Sequence, residues 1–233
     1  MKAKYFFTAI LMTVSGSMMA QDEVETSLGA DVVSQYIWRG QNLGNAAIQP
    51  TLGISYKGIS LSAWGSAGIT SAADTKEFDL TLGYTTGSFN VGITDYWFNT
   101  NPKYFRYSNG ATSHVFEANV GYDFGFLNLQ WFTNFAGDDG LNKSGNRAYS
   151  SYLELSAPFK LGGLDWTATL GAVPYATSFY SDADGFAVTN ISVGASYTLI
   201  DKPGYELPVF ATISANPSSE RAFFASGFSL KKK

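Results

Sequence analysis

The sequence predicts an all-β protein: a transmembrane, antiparallel, up-and-down β-barrel of about twelve strands that follows a cleaved signal peptide. Three observations lead to this fold class. Apolar and polar residues alternate in short segments, the N-terminus has the composition of a secretion signal, and no long apolar run follows residue 20. Successive side chains of a strand point to opposite faces. A membrane barrel therefore turns its apolar residues to lipid and its polar residues to the interior.

The first 20 residues predict the signal peptide. Two lysines precede an apolar stretch over 5–14, and a small residue, Ala20, ends the segment. This order of charged, apolar and small residues is typical of secretion signals. About ten apolar residues are also too few to span a bilayer. We therefore expect a signal peptide over 1–20 and a single barrel domain over 21–233.

Composition narrows the function classes. The chain has 15 basic and 19 acidic residues, and loss of the two signal lysines leaves 13 against 19, a net charge of about −6. This charge argues against nucleic acid as a partner. There is no cysteine and one histidine, so the sequence predicts no disulfide, no metal site and no cofactor. Charged residues are 15% and aromatic residues 16%, which suits a wall facing lipid with aromatic rings at the interfaces.

Twelve alternating segments are separated by turn or loop residues. We expect strands at 25–39, 47–57, 59–68, 77–86, 88–98, 114–123, 126–136, 147–159, 164–175, 186–199, 205–215 and 221–230. Every second connection is a short turn with a glycine, and most of the others are longer and rich in Asn, Asp, Ser and Gly. Bacterial outer-membrane barrels have short turns in the periplasm and long loops outside the cell. This arrangement places both termini in the periplasm.

Face assignment gives an outward and an inward set. In the first strand Leu28, Tyr36 and Trp38 take the outward phase, with the two rings expected at a headgroup interface. Asp95 and His114 also take the outward phase, which is unfavourable in lipid. Both lie near the outer rim, where a bulge or an exit from the membrane would accommodate them.

Polar residues of the inward phase are the candidates for lining the lumen. They are Asp31, Gln35, Arg39, Gln49, Glu77, Asp79, Glu117, Asn119, Gln130 and Glu154. Carboxylates outnumber cations in this set, so an open lumen would attract cations. The alternative is a filled interior, in which Arg39 pairs with carboxylates and inward aromatic residues such as Trp64 and Tyr152, together with Phe210, occupy the remaining space.

The first two segments resemble a known family. Residues 34–41 read Ser-Gln-Tyr-Ile-Trp-Arg-Gly-Gln, and Ala47-Ile48-Gln49 follows. This resembles the opening of the TorF-type porins of Gram-negative bacteria, with its Ser-x-Tyr-x-x-Arg-Gly segment and Ala-x-Gln strand. The likeness extends over about 25–98. It implies an outer-membrane barrel that acts as a pore.

Three functional hypotheses follow. The first is an outer-membrane porin that passes small hydrophilic solutes or ions by diffusion, with a weak preference for cations. The second is a non-conducting, plugged barrel that acts as an envelope scaffold or through its extracellular loops. Under either hypothesis the partners are outer-membrane lipid and, during biogenesis, the barrel-assembly and periplasmic chaperone machinery. The first hypothesis adds the solutes or ions themselves.

The third and weakest hypothesis is a lipid hydrolase. Tyr107-Ser108-Asn109-Gly110 resembles the serine segment of outer-membrane lipid hydrolases, which carry a histidine two residues before the serine. Here Arg106 stands at that position, and an arginine does not act as a base near neutral pH. The single histidine, His114, comes six residues after Ser108. The sequence therefore predicts no enzyme.

Overall fold

Twelve antiparallel strands close into one barrel. The computed structural model describes residues 23–70, 74–98, 103–108 and 111–232, and the expected signal peptide lies outside these residues. The described chain forms β1 (Glu25–Val33), β2 (Tyr36–Trp38), β3 (Gln41–Gly44), β4 (Ala47–Tyr56), β5 (Ile59–Gly68), β6 (Glu77–Thr86), β7 (Phe89–Phe98), β8 (His114–Asp123), β9 (Asn128–Gly137), β10 (Ser151–Leu161), β11 (Leu164–Val173), β12 (Ala187–Lys202), β13 (Tyr205–Asn216) and β14 (Arg221–Lys232).

The strand order confirms the predicted up-and-down barrel. Each strand from β4 to β14 pairs with the next along the chain, and β1 lies between β14 and β4. Every one of these pairings is antiparallel. Closure matters because an open edge leaves backbone donors and acceptors without partners. Strands β2 and β3 pair with each other in a separate two-stranded sheet.

The first predicted strand, 25–39, is wrong beyond Val33. After β1 the chain leaves the wall, and Ser34 marks the departure. Its backbone N–H donates to the carbonyl of Ser226 at 2.8 Å, and its hydroxyl accepts from the Ser226 N–H at 2.9 Å. The polar–apolar alternation is reversed at this point, where apolar Val33 takes the inward phase and polar Ser34 the outward phase, so the pattern carries a short local sign of the break. The other eleven barrel strands lie within a few residues of their predicted bounds.

The outside of the barrel is apolar. Leu52, Leu82 and Ile213 point outward and are 59%, 55% and 59% exposed. The neighbouring positions of the same strands turn inward with small or polar side chains, as period-2 alternation requires. Among the described residues, no helix has the length and hydropathy needed to cross a bilayer.

The two ends of the barrel differ in their connections. Five connections at one end have two to four residues, at 57–58, 87–88, 124–127, 162–163 and 203–204. The opposite end carries the longer connections 34–46, 69–76, 99–113, 138–150 and 174–186, together with the short turn 217–220. Both barrel termini lie at the short-turn end, because Glu25 pairs with Ser55 and Lys232 pairs with Tyr205.

A charge at the middle of the outer wall is expected to destabilise the barrel in a bilayer. We predict that Leu82→Arg lowers the free energy of unfolding by about 2–4 kcal/mol, because this side chain faces outward near the middle of β6. The control is Ile69→Arg, at a similarly exposed position just beyond the end of β5, with an expected cost of about 0–1 kcal/mol. Denaturant unfolding in lipid vesicles measures both, and equal losses would contradict the assignment of this face to lipid.

Candidate functional site

The β2–β3 hairpin lies inside the barrel. Tyr36 and Trp38 are 2% and 3% exposed and belong to a buried cluster with rings from the barrel wall. The expectation that these two rings face outward is therefore wrong. The physical reason is that the hairpin has left the wall, so its phase is no longer tied to that of β1. The rings find an apolar environment inside the barrel instead of at its surface.

The tip of the hairpin is a two-residue turn whose backbone lies against β12 and β13. Arg39 and Gly40 have φ values of +49° and +78°, the positive values that a type I′ turn requires at both central positions. Gly40 has no room for a side chain, since a Cβ there would lie 1.8 Å from the Thr189 carbonyl oxygen of β12. The Asn216 side-chain amide donates to the Gly40 carbonyl at 3.0 Å.

The tip carries a buried salt bridge. The Arg39 guanidinium donates to both carboxylate oxygens of Glu117 on β8, at 2.5 and 3.0 Å. The hydroxyls of Tyr96 and Tyr180 donate to the same carboxylate at 2.8 and 2.9 Å, and Arg39 also donates to the Tyr180 oxygen. Arg39 and Glu117 are 4% and 2% exposed. Bidentate pairing of this kind is the strongest arrangement available to these two groups.

Aromatic rings surround the guanidinium. The Arg39 Cζ atom lies 4.0 Å from the ring centre of Phe132, 4.6 Å from Trp38, 4.8 Å from Tyr152 and 5.4 Å from Tyr180. A cation over a ring face is attracted by the ring quadrupole, and more strongly where water is excluded. We call the groups that hold Arg39 from outside the hairpin the Arg39 cage: Tyr96, Glu117, Phe132, Tyr152 and Tyr180.

The cage stands on the opposite side of the barrel from the hairpin's own strands. The hairpin connects β1 and β4, whereas the cage residues of the wall come from β7 to β10. In the closed order of strands, β9 is six strands from β1 in either direction. The hairpin therefore crosses the lumen from wall to wall.

Inward side chains of the wall are buried around this crossing. Inward side chains at this level, one from each of ten successive strands β4 to β13, are buried: Gln49, Ser66, Glu77, Tyr96, Glu117, Phe132, Tyr152, Val173, Asn190 and Ser214. The inward aromatic residue Trp64 packs against Tyr36 of the hairpin, with ring centres 5.6 Å apart. The pairing of Arg39 with a carboxylate and the inward positions of Trp64 and Tyr152 agree with the filled-interior alternative, and closure of the lumen itself stays a prediction.

Tyr180 comes from a loop, and a neighbouring loop holds it in place. Its segment, 174–186, is joined to 138–150 by several hydrogen bonds. Ser178 N–H donates to the Leu141 carbonyl at 3.1 Å, Leu141 N–H donates to the Ser178 hydroxyl at 2.8 Å, and the Tyr175 hydroxyl donates to the Tyr149 carbonyl at 2.5 Å. Burial raises the pKa of the Tyr180 phenol well above its usual value. The hydroxyl therefore remains protonated and donates to Glu117.

The other predicted lumen residues fall into two groups. Gln49, Glu77 and Asp79 are buried beside the base of the hairpin, where the Tyr36 hydroxyl donates to Glu77 at 2.8 Å. The half-buried group is Asp31, Gln35, Asn119, Gln130 and Glu154. Of these, Glu154 lies two residues from Tyr152 on the same face of β10. That these residues line a water-filled lumen stays a prediction.

Sequence reasoning did not identify three members of the cage. Tyr96 and Phe132 share the inward phase of Thr94 and Gln130, so period-2 alternation carried a usable signal for them. For Tyr180 there was none, because a loop residue has no phase to read.

The outward pair Asp95 and His114 is covered by a folded segment. His114 is fully buried: Nδ1 lies 2.7 Å from the Asp95 carboxylate, and Nε2 lies 2.5 Å from the Tyr104 carbonyl oxygen. The Tyr104 ring packs on His114 with centres 4.9 Å apart. Residues 103–108 form this cover, and a register shift between β8 and β9 after Phe116 provides an irregularity of the expected kind close by. That the pair lies beyond the membrane stays a prediction.

This geometry gives no support to the hydrolase hypothesis. Both ring nitrogens of His114 are engaged by Asp95 and Tyr104, so neither is free to accept a proton from Ser108. Asn109 and Gly110 of the serine segment lie outside the described residues. Within the described ranges, no group of three or more Asp, Glu or His side chains could hold a metal ion.

Comparison with known proteins places the chain in a family. The model of the family described as "Bacterial protein of unknown function (Gcw_chp)" matches residues 18–216. The chain belongs to this family. The finer resemblance to the TorF-type porins stays a prediction. No curated protein matches the sequence.

Three solved structures are similar over 90% of this chain. They are a NanC porin (11% identity, 100% of that chain covered, TM-score 0.48), the COG4313 outer membrane channel from Pseudomonas putida F1 (12%, 93%, 0.37) and the outer membrane protein opdK from Pseudomonas aeruginosa (13%, 65%, 0.34). All three TM-scores are below 0.5, so the fold assignment rests on the strand pairing of this chain.

A side chain at the tip of the hairpin is expected to undock it. We predict that Gly40→Ala accelerates amide hydrogen exchange over 36–44 and lowers the melting temperature, because the new Cβ would overlap the β12 backbone at Thr189. Gly204→Ala is the matched control, since Gly204 also has a positive φ, of +91°, but nothing lies within 4 Å of its Cβ position. The control is expected to lose about 1–2 kcal/mol from the left-handed conformation alone. A hairpin that exchanges equally slowly in both variants would show that the tip does not depend on this close approach.

Proposed function

We propose that this protein is an outer-membrane barrel of a Gram-negative bacterium, and that its structure is the closed state of a channel for small hydrophilic solutes or ions. The apolar outer wall supports the membrane location, since lipid is the solvent that such a wall requires. Short turns at one end and long loops at the other support an orientation with both termini in the periplasm.

The salt bridge between Arg39 and Glu117 is the observation that carries the proposal. It fastens a hairpin across the lumen, and this hairpin takes no part in the hydrogen-bonded ladder of the barrel. The hairpin can therefore move away while the twelve-stranded wall stays intact. A bistable element whose two positions share one rigid scaffold is the usual structural basis of a gate.

Cation preference belongs to the same proposal. Movement of the hairpin would take Arg39 away and leave Glu77, Asp79, Glu117 and Glu154 facing the lumen. A lumen with this balance of charge raises the local concentration of cations.

The second candidate is a permanently plugged barrel that acts as a scaffold or through its loops. The nearly complete burial of Arg39 and Glu117 favours it, because separating a buried ion pair is costly. Conductance measurements distinguish the two candidates.

Removal of the hairpin is expected to open the barrel. We predict that replacing residues 36–44 with a Gly-Ser linker of equal length increases single-channel conductance in planar bilayers, because a flexible linker has no cationic or aromatic side chain to bind the cage. The wild-type protein is expected to show brief openings separated by long closures. The control replaces the exposed loop tip 142–146 in the same way and should behave like the wild type. If the variant without the hairpin inserts and stays silent, the plugged-barrel candidate stands and the channel is rejected.

Cation preference is tested in the variant that lacks the hairpin. There, Glu117→Gln combined with Glu154→Gln is expected to shift the reversal potential in a salt gradient towards zero, because two lumen charges are lost. Asp182→Asn combined with Asp184→Asn, at two exposed loop residues, is the charge-matched control and should leave the reversal potential unchanged. An unchanged potential in the double variant would remove Glu117 and Glu154 from the conducting path.

A further inference from the structure

We propose that the Arg39 cage is a binding site for a guanidinium or ammonium group of a soluble ligand, and that Arg39 is a tethered occupant of this site. The ligand would also be the solute whose binding opens the channel, and this part of the inference rests on the proposed function. Occupation of the site itself requires no conduction.

The site belongs to the wall and to an adjoining loop, and the hairpin supplies the cation. Glu117, Tyr96, Phe132 and Tyr152 are fixed on four neighbouring strands of the barrel. Tyr180 is held by the hydrogen bonds of its own loop to 138–150. Trp38 is the one ring of this arrangement that would leave together with Arg39. Departure of the hairpin therefore removes the occupant and leaves most of the site in place.

The chemistry of the cage selects a planar organic cation. The two oxygens of Glu117 match the paired N–H groups of a guanidinium, as the contacts at 2.5 and 3.0 Å to Arg39 demonstrate. The rings of Phe132 and Tyr152, which both lie close to the Arg39 guanidinium, favour a weakly hydrated cation at this position. An ammonium group could use the same carboxylate and rings, but without the bidentate contact.

If the hairpin leaves, the cage contains a carboxylate without a counter-charge. Without Arg39, Glu117 would keep the hydroxyl groups of Tyr96 and Tyr180 but would have no positive charge beside it, with Glu154 nearby on β10. A carboxylate enclosed by aromatic rings and lacking a counter-charge is destabilised. A free cation of the right shape removes this cost and thereby stabilises the displaced position of the hairpin, which is how a ligand shifts such an equilibrium.

Chemical rescue of Arg39→Ala tests the site. In detergent micelles, millimolar methylguanidinium is expected to raise the melting temperature of this variant by about 2–4 °C relative to the same concentration of methylurea, which is neutral and similar in shape. Neither the wild type, whose cage is occupied, nor Arg221→Ala, which removes an exposed arginine at the start of β14, should respond. The rescue should disappear in Arg39→Ala combined with Glu117→Gln. Equal responses to the cation and to methylurea, or a response that survives Glu117→Gln, would overturn the proposal.

A measurement on the wild type covers the case in which Arg39→Ala does not fold. L-arginine should compete with Arg39 and accelerate amide exchange over 36–44, whereas L-citrulline, its uncharged analogue, should not. Exchange that stays unchanged with both compounds overturns the proposal.

The outcomes separate this inference from the channel proposal. Rescue by methylguanidinium together with a silent bilayer for the variant without the hairpin keeps the cation site and removes the channel. Conductance of that variant without rescue or competition keeps the channel and removes the cation site.

Discussion

The pairing of Arg39 with Glu117 inside the barrel is the interaction on which the remaining structure of the interior depends. Each of these charges would cost several kcal/mol to bury alone. The cost is offset because the carboxylate accepts from Arg39, Tyr96 and Tyr180. Three parts of the structure contact this one pair: the turn at the hairpin tip supplies Arg39, the loop 174–186 supplies Tyr180, and the wall supplies inward rings. The positions of these three parts therefore depend on one another.

Closure of the barrel sets the second constraint. Twelve strands enclose more space than the inward side chains of the wall fill, and the hairpin brings its own rings, Tyr36 and Trp38, into that space. The hairpin can enter because β2 and β3 satisfy part of their backbone hydrogen bonding through each other. Its tip also requires a glycine, since the approach of Gly40 to Thr189 leaves no room for a Cβ.

The outer face of the barrel also carries two polar groups that are unfavourable in their surroundings unless they are paired. Asp95 and His114 lie on the outer face of the wall, and an isolated charge on this face is unfavourable in lipid. They bond each other, and Tyr104 covers them with its ring and its carbonyl oxygen. On each face of the wall, therefore, one charged pair lies where a loop segment folds back and contacts it.

The sequence by itself determined the barrel, because period-2 alternation and glycine-containing turns are local properties that each strand expresses without reference to the others. The alternation also indicated that Arg39 and Glu117 point inward. For Glu117 the phase of its strand is the reason, whereas Arg39 lies inside the barrel because its hairpin has left the wall. Only the tertiary structure decided that 36–44 leaves the wall, since the reversed alternation at Val33 and Ser34 is too short to distinguish an exit from a local irregularity of the strand. It alone brought Tyr180 from a loop to a carboxylate 63 residues earlier in the chain. Contacts between residues so far apart in the sequence depend on how the barrel closes, and the local sequence pattern around either residue does not specify which distant residue it will contact.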